Sequence, residues 1–392
     1  VISVDESTGK DKVELSGYDN SQKVEIGKYY GSISDGTMRV VYNPNTSHQW
    51  QFFSAKNASI TNQFFMDTLG APNPISAGNQ LWFVKECFNA LGIVGFFLFL
   101  LPFACLLMKT PFFAGIQQEA PAPRPRPTDT NGKLVSAISL VLLAVIPGIT
   151  VMPVFSKLAY GMIFTNAVAN NSTDFFPQPG PNAIVIWALV NGLAAVAIFA
   201  LGYLIYGKKH GDGPDNWGVK TTWANVGKSA LLAILVTGVA YGFVLLADLF
   251  FTVDFRFWSF AIRAAEGNIL ALVPHYLPFM LVFWLATSFM VNASARTECK
   301  KEWHNTALCV VVNVIGLVAL VVIQFAVLFS TGVAMWYANR AWVNICLIIP
   351  FIPMMIVGTV LLRKCFKKTG TIYFGAFLMA LVSTLIMVAN AN

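Results

Sequence analysis

From Cys87 onward the chain is a succession of eight apolar runs, beginning near Cys87, Leu134, Asn182, Ser229, Asn268, Thr306, Trp342 and Thr371. A hydrocarbon core about 30 Å thick takes about 20 apolar residues of α-helix, and a helix satisfies all of its own backbone N–H and C=O groups without water. Core helices of soluble proteins are rarely so long and so poor in charge. The runs therefore predict a mostly α fold, a polytopic transmembrane helical bundle of about eight spans. With 56% hydrophobic and only 11% charged residues, the composition is that of a lipid-embedded chain.

The loops between the runs alternate in charge. Lys109, Arg124, Arg126 and Lys133 follow the first run, and Lys208, Lys209, Lys220 and Lys228 follow the third. Arg296, Lys300 and Lys301 follow the fifth; Arg363, Lys364, Lys367 and Lys368 follow the seventh. The intervening loops hold Lys157 after the second run, Arg256 and Arg263 offset by Asp254 and Glu266 after the fourth, and Arg340 after the sixth. Short loops rich in Lys and Arg stay in the cytoplasm, so this pattern places residues 1–86 on the extracytoplasmic side.

The net charge of +7 and the pI near 9.0 then have a topological origin. Basic loops also attract anionic headgroups, which makes the lipid bilayer the expected partner. No aromatic-basic motif accompanies the charge, and no nucleic-acid partner is expected. All six cysteines lie in or beside the apolar runs, which argues against a disulfide framework in the front segment. His48, His210, His275 and His304 do not approach metal-ligand spacing, and no phosphate-binding or dinucleotide loop occurs, so neither metal nor cofactor is expected. Residue 1 is Val, with no leader ahead of a segment expected to cross the membrane, and the last run stops at Asn392. The expectation is a chain cut at its start, and open to truncation at its end.

Two domains are expected, residues 1–80 in front and residues 81–392 in the membrane. Residues 1–24 show no sustained period and read as a connecting loop or the edge of something larger. Residues 23–30 and 38–43 read as short strands around a turn at residues 31–36. From Ser54 to Leu69 apolar positions recur near helical spacing, with Ser54 as N-cap and Gly70 as stop. Leu81, Trp82 and Phe83 form an aromatic approach to the first span. Within the membrane half, the alternating prolines of residues 120–127 exclude helix and predict an extended, semi-rigid cytoplasmic linker.

The order strand, His-containing loop, amphipathic helix over roughly residues 25–70 resembles the carboxyl-terminal end of an α/β-hydrolase, and more narrowly of membrane-attached members whose hydrolase domain precedes a multispan region. The resemblance implies that the front segment is a small α/β remnant of such a domain, with His48 as the catalytic histidine. A neutral imidazole near pH 7 can take a proton from a serine hydroxyl and return it to a leaving group. In this family the nucleophile and acid precede the His, which implies that both lie upstream of Val1 or nearly so. The full-length protein would be a membrane-bound serine hydrolase acting on an ester or related acyl bond, with a lipid-like or acyl substrate, and this piece of it inactive.

Ser32-Ile33-Ser34-Asp35-Gly36 mimics a nucleophile elbow, but it precedes a strand rather than following one, and reads as a turn. Asp5, Glu6, Asp11 and Asp19 are acid candidates that nothing ranks. A second constellation joins Asp248, Asp254, Arg256 and Trp258, at the outer end of the fourth run, with His275 early in the fifth. Ionisable groups at membrane depth point to function, whereas groups this near the interface are also served by simple pairing and snorkelling, and Phe255, Phe257, Trp258 and Phe260 fit an interfacial aromatic belt. Asn57 and Asn171 sit in glycosylation-type triplets. The competing functional class is a transporter or permease with an accessory front domain. It would need a polar path at mid-membrane depth, and Asn191, Asn313 and Asn344 are the interior polar residues in view, each also explained by ordinary interhelical hydrogen bonds.

Overall fold

The computed structural model describes residues 2–4, 11–13, 24–47, 49–71, 75–166, 170–299, 301–336 and 343–391. The chain divides into two units, Val1–Phe88 with Phe257–Ser259, and Asn89–Arg256 with Phe260–Asn392.

In the front unit, β1 (Ile2–Val4) pairs antiparallel with β2 (Asp11–Val13), Ile2 opposite Val13. A stretch that lacks periodicity thus holds a short hairpin, since three paired residues are too few to imprint a pattern. The two strands expected at residues 23–30 and 38–43 reduce to a bridge between Tyr30 and Arg39, extended by the Gly27 N–H donating to the Val41 carbonyl. No larger sheet forms among the described residues of this unit, so an α/β-hydrolase remnant is not displayed here. Residues 31–36 make the expected turn: Gly31 and Gly36 have φ of +80° and +65°, and a Cβ on Gly31 would lie 2.4 Å from the Thr37 carbonyl oxygen. Helix α1 (Ala55–Leu69) starts where Ser54 accepts from the Asn57 N–H and ends at Gly70, as the sequence predicts. None of its residues is buried, and Phe65 and Leu69 are exposed. The Tyr29 hydroxyl donates to Asp67 at 2.7 Å and joins the bridged arm to this helix.

Helix α2 (Trp82–Leu107) leads into the second unit, followed by a single turn, α3 (Pro111–Ala114), and by α4 (Thr130–Met152), which continues as a π-helical stretch over Pro153–Ile163. Next come α5 (Pro179–Ile205) and α6 (Trp223–Phe251). The strands β3 (Phe255–Phe257) and β4 (Phe260–Ile262) make a two-stranded sheet. Helix α7 (Val273–Phe289) runs into a π-helical turn at Met290–Ser294, and α8 (Glu302–Thr331) follows. The seventh run is split into α9 (Val343–Ile348) and α10 (Phe351–Thr369) around Pro350, whose ring cannot supply the N–H that a continuous helix needs. Helix α11 (Tyr373–Asn390) ends the described bundle. Among the described residues eight helical segments are long and apolar enough to cross a membrane, so the chain is mostly helical and an integral membrane protein.

Helix α11 is central, packing on α6, α7 and α10, with two-thirds of its span buried, whereas α4 and α8 pair at the periphery. Close crossings depend on small residues, as expected where lipid removes the hydrophobic drive between helices. A Cβ on Gly148 of α4 would lie 2.3 Å from the Gly316 carbonyl oxygen of α8, and one on Gly316 would lie 2.2 Å from the Ala144 carbonyl oxygen. Trp284 of α7 donates to the Ser383 hydroxyl of α11 at 2.8 Å, satisfying two buried polar groups with each other.

The loops following spans one, three, five and seven gather at one end of this unit. Gln118 donates to the Thr221 hydroxyl, Arg124 pairs with Asp212, Arg296 donates to the carbonyls of Pro121 and Ala122, and the Ile372 N–H donates to the Gly218 carbonyl. These are the four basic loops of the sequence. The proline-rich run is extended as expected, but docked rather than a free linker. Its prolines remove donors yet leave carbonyls unspent, and Arg296 takes two of them. Arg296 also lies over the Phe366 ring. Arg363 is buried beside it, donating to the Val291 carbonyl at 3.0 Å and the Asn292 side-chain oxygen at 3.2 Å, and pairing with Glu302. The π-helical turn at Met290–Ser294 is what turns the Val291 and Asn292 carbonyls toward these guanidinium groups.

Candidate functional site

His48, the residue singled out for catalysis, lies outside the described residues, as do the acid candidates Asp5, Glu6 and Asp19; of Asp11 the structure describes the strand alone. The residues just after His48 are well anchored within the front unit. The Gln49 carbonyl accepts the Trp258 indole N–H at 2.8 Å, and Trp50 stacks on Trp258 with ring centroids 4.3 Å apart. Phe53 meets Trp82, Phe83 and Phe257 edge-on at 5.2, 5.9 and 5.2 Å. Trp258 takes φ of +52°, a conformation rare for so bulky a residue, which these two contacts hold in place. The aromatic residues read as an interfacial belt thus include two that brace the loop next to His48.

The rest of the second constellation is not brought together. Asp254 pairs with Arg256 at 2.5 Å and Arg263 at 3.7 Å, and Asp248 stays exposed. His275 stacks on Phe175 at 4.0 Å and bonds its carbonyl through Nδ1. These are partners that suffice for groups near an interface. Ser32 and Ser34 bond each other in the turn, and the Asn57 side-chain amide donates to the Gln51 carbonyl from the first turn of α1.

A different site emerges inside the second unit. A cavity of about 60 Å³ lies among α4, α5, α7, α8 and α10, and Asn191 and Asn313, isolated in sequence, both line it. Asn191 donates to the Thr150 hydroxyl at 3.1 Å and to the Trp187 carbonyl at 2.8 Å, and Asn313 donates to the Thr359 hydroxyl at 2.8 Å. Asn344 remains apart, 3.5 Å from the Ser156 hydroxyl. Pro147 also lines the cavity; lacking an N–H, it leaves the Leu143 carbonyl without its helical donor, and its own carbonyl accepts from Trp187 Nε1.

A second cavity, of about 30 Å³, shares Leu140, Leu143 and Ile198 with the first and continues between α4 and α5 to the end that bears the basic loops. It is walled by Arg124, Asp212, Ser136, Ser139 and Tyr206. Arg124 comes from the proline run, pinned there by its bridge to Thr297, and Asp212 from the turn after α5, where Trp217 Nε1 donates to it at 2.7 Å. The guanidinium stands 3.4 Å from the Ser136 hydroxyl and 3.9 Å from the Asp212 carboxylate, and its buried Nε has no partner among the described residues. Burial outweighs the nearby Asp212 and lowers the pKa of Arg124. Sequence reasoning missed this residue because Arg124 counts there as one more topological charge; an Arg flanked by prolines, unable to join a helix, was the available signal.

No family model, no curated protein and no solved structure matches this chain.

Proposed function

We propose that the chain belongs to a membrane-bound serine hydrolase of α/β-hydrolase type, its front unit extracytoplasmic and supplying His48 as general base. The observation that carries the reading is an order over residues 25–70, in which the bridge between Tyr30 and Arg39 precedes His48 in sequence and the Ser54-capped helix α1 follows it. The uncovered apolar positions of α1, Phe65 and Leu69, are what a hydrolase sheet would pack against. Chain order in this family puts nucleophile and acid ahead of the His. The serine attacks the acyl carbonyl, His48 takes its proton and passes it to the leaving group, and the acid orients the imidazole. The substrate is an ester or related acyl compound reaching the site from the bilayer.

The test is ester turnover and fluorophosphonate labelling of the full-length protein in membranes. His48→Ala is expected to lower turnover by roughly three orders of magnitude or more with abundance unchanged. Unchanged turnover and labelling in that variant would exclude His48 as the base. A permease is the second reading, favoured by the convergence of Asn191 and Asn313 on one cavity; solute uptake into proteoliposomes without any labelling would put it first.

A further inference from the structure

The two cavities meet at Leu140, Leu143 and Ile198 and together form an amphipathic cleft, charged and polar at the end of the basic loops and mostly apolar beyond it. At the polar end, among the described residues, the Arg124 guanidinium makes one bond at 3.4 Å and one ion pair at 3.9 Å, and its buried Nε has no acceptor. A guanidinium offers five donors in a planar fork that matches phosphate oxygens, so an unfilled Arg in a cavity asks for such an acceptor. Hydroxyls of Ser136, Ser139 and Tyr206 line the same space. Beyond them Leu140, Leu143 and Ile198 lead to Ala194, Ala195 and Phe283, a mostly apolar cavity that Asn191, Thr287 and Asn313 also line and in which no charged residue lies among the described ones. Asp212 beside Arg124 disfavours a bare phosphate dianion, which gains nothing from the apolar path.

We propose that this cleft binds one phospholipid, its phosphate at Arg124 and the start of one acyl chain between α4 and α5. The cavities are too small for a whole chain, and its remainder extends into the bilayer. Tethered to the basic end of the bundle, the lipid completes the charge and hydrogen bonding of Arg124. The site stands independently of the reading of His48.

Native mass spectrometry of the full chain, released from phosphatidylcholine vesicles containing phosphatidylglycerol, tests this. The wild type is expected to retain one phospholipid through detergent washing. Arg124→Gln and Ala195→Phe, which remove the phosphate donor and block the acyl path separately, should each reduce retention about tenfold or more. Lys133→Gln, an exposed charge at the same end, should not. Thermal unfolding of each variant separates lipid loss from misfolding, and Ala195→Phe carries the test if Arg124→Gln does not fold. Equal retention by wild type and Ala195→Phe would overturn the proposal. So would displacement of the lipid by inorganic phosphate alone, which would mark a soluble-phosphate site.

Discussion

Trp258 stacks on Trp50 at a centroid distance of 4.3 Å while its indole N–H donates to the carbonyl of Gln49, the residue after His48. A stacked pair of this kind contributes about 0.5–1.5 kcal/mol beyond its buried area, which favours the observed placement of the residues after His48. Two indoles so close also couple their electronic transitions. Trp50→Phe and Trp258→Phe are each expected to abolish an exciton couplet in the near- and far-ultraviolet circular dichroism, and Trp82→Phe to retain it. On the proposed reading of His48, Trp258→Phe should lower ester turnover less than His48→Ala does, because Trp258 contacts the residues after His48 and takes no part in proton transfer. A couplet that survives both substitutions would mean the rings do not stack.

The approach of Gly148 to Gly316 makes a sharper demand, because the atom facing each absent Cβ is backbone and cannot rotate away. Gly316→Val is expected to separate α4 from α8 and destabilise the bundle by about 3 kcal/mol or more, above the usual cost of overpacking. Gly238→Ala in α6, where a Cβ meets open space, is the matched control and should be neutral. Thermal unfolding in detergent reads both, and equal midpoints would exclude the close crossing.

Asp129 and Tyr206 form a pH-sensitive clasp at the start of α4. The Tyr206 hydroxyl donates to Asp129, which also caps the helix by accepting from the Gly132 N–H at 3.3 Å. That hydroxyl holds the Asp129 pKa below its ordinary value, and the same bond raises the pKa of Tyr206. A depressed carboxyl contributes above its unfolded pKa of about 3.9, and its contribution is lost as pH falls through the lower folded value. A raised phenol contributes below its unfolded pKa of about 10, and its contribution is lost as pH rises through the higher folded value. Amide exchange in the first turn of α4 should therefore accelerate at both extremes. Tyr206→Phe should remove the alkaline limb and move the acid limb toward ordinary carboxylate pH. An unchanged alkaline limb in that variant would exclude the clasp.

The eight spans, the alternation of their loops and the Ser54 cap of α1 were legible in the sequence alone, because each depends on properties carried by adjacent residues: hydropathy over a span-length window, loop charge and a capping hydroxyl. The turn at residues 31–36 was legible for the same reason. Tertiary structure decided the rest. Asn191 and Asn313 look equally isolated along the chain, and the packing of α5 against α8 neighbours brings them to one cavity. The proline run reads as a linker until Arg296, far along the chain, finds the carbonyls its prolines leave free. Arg124 reads as a topological charge until burial takes its water and Asp212 returns only part of what was lost. Hydrophobicity and charge are summed along a sequence, whereas hydrogen-bond partners are chosen among whatever the fold brings within about 3 Å, which no local pattern encodes.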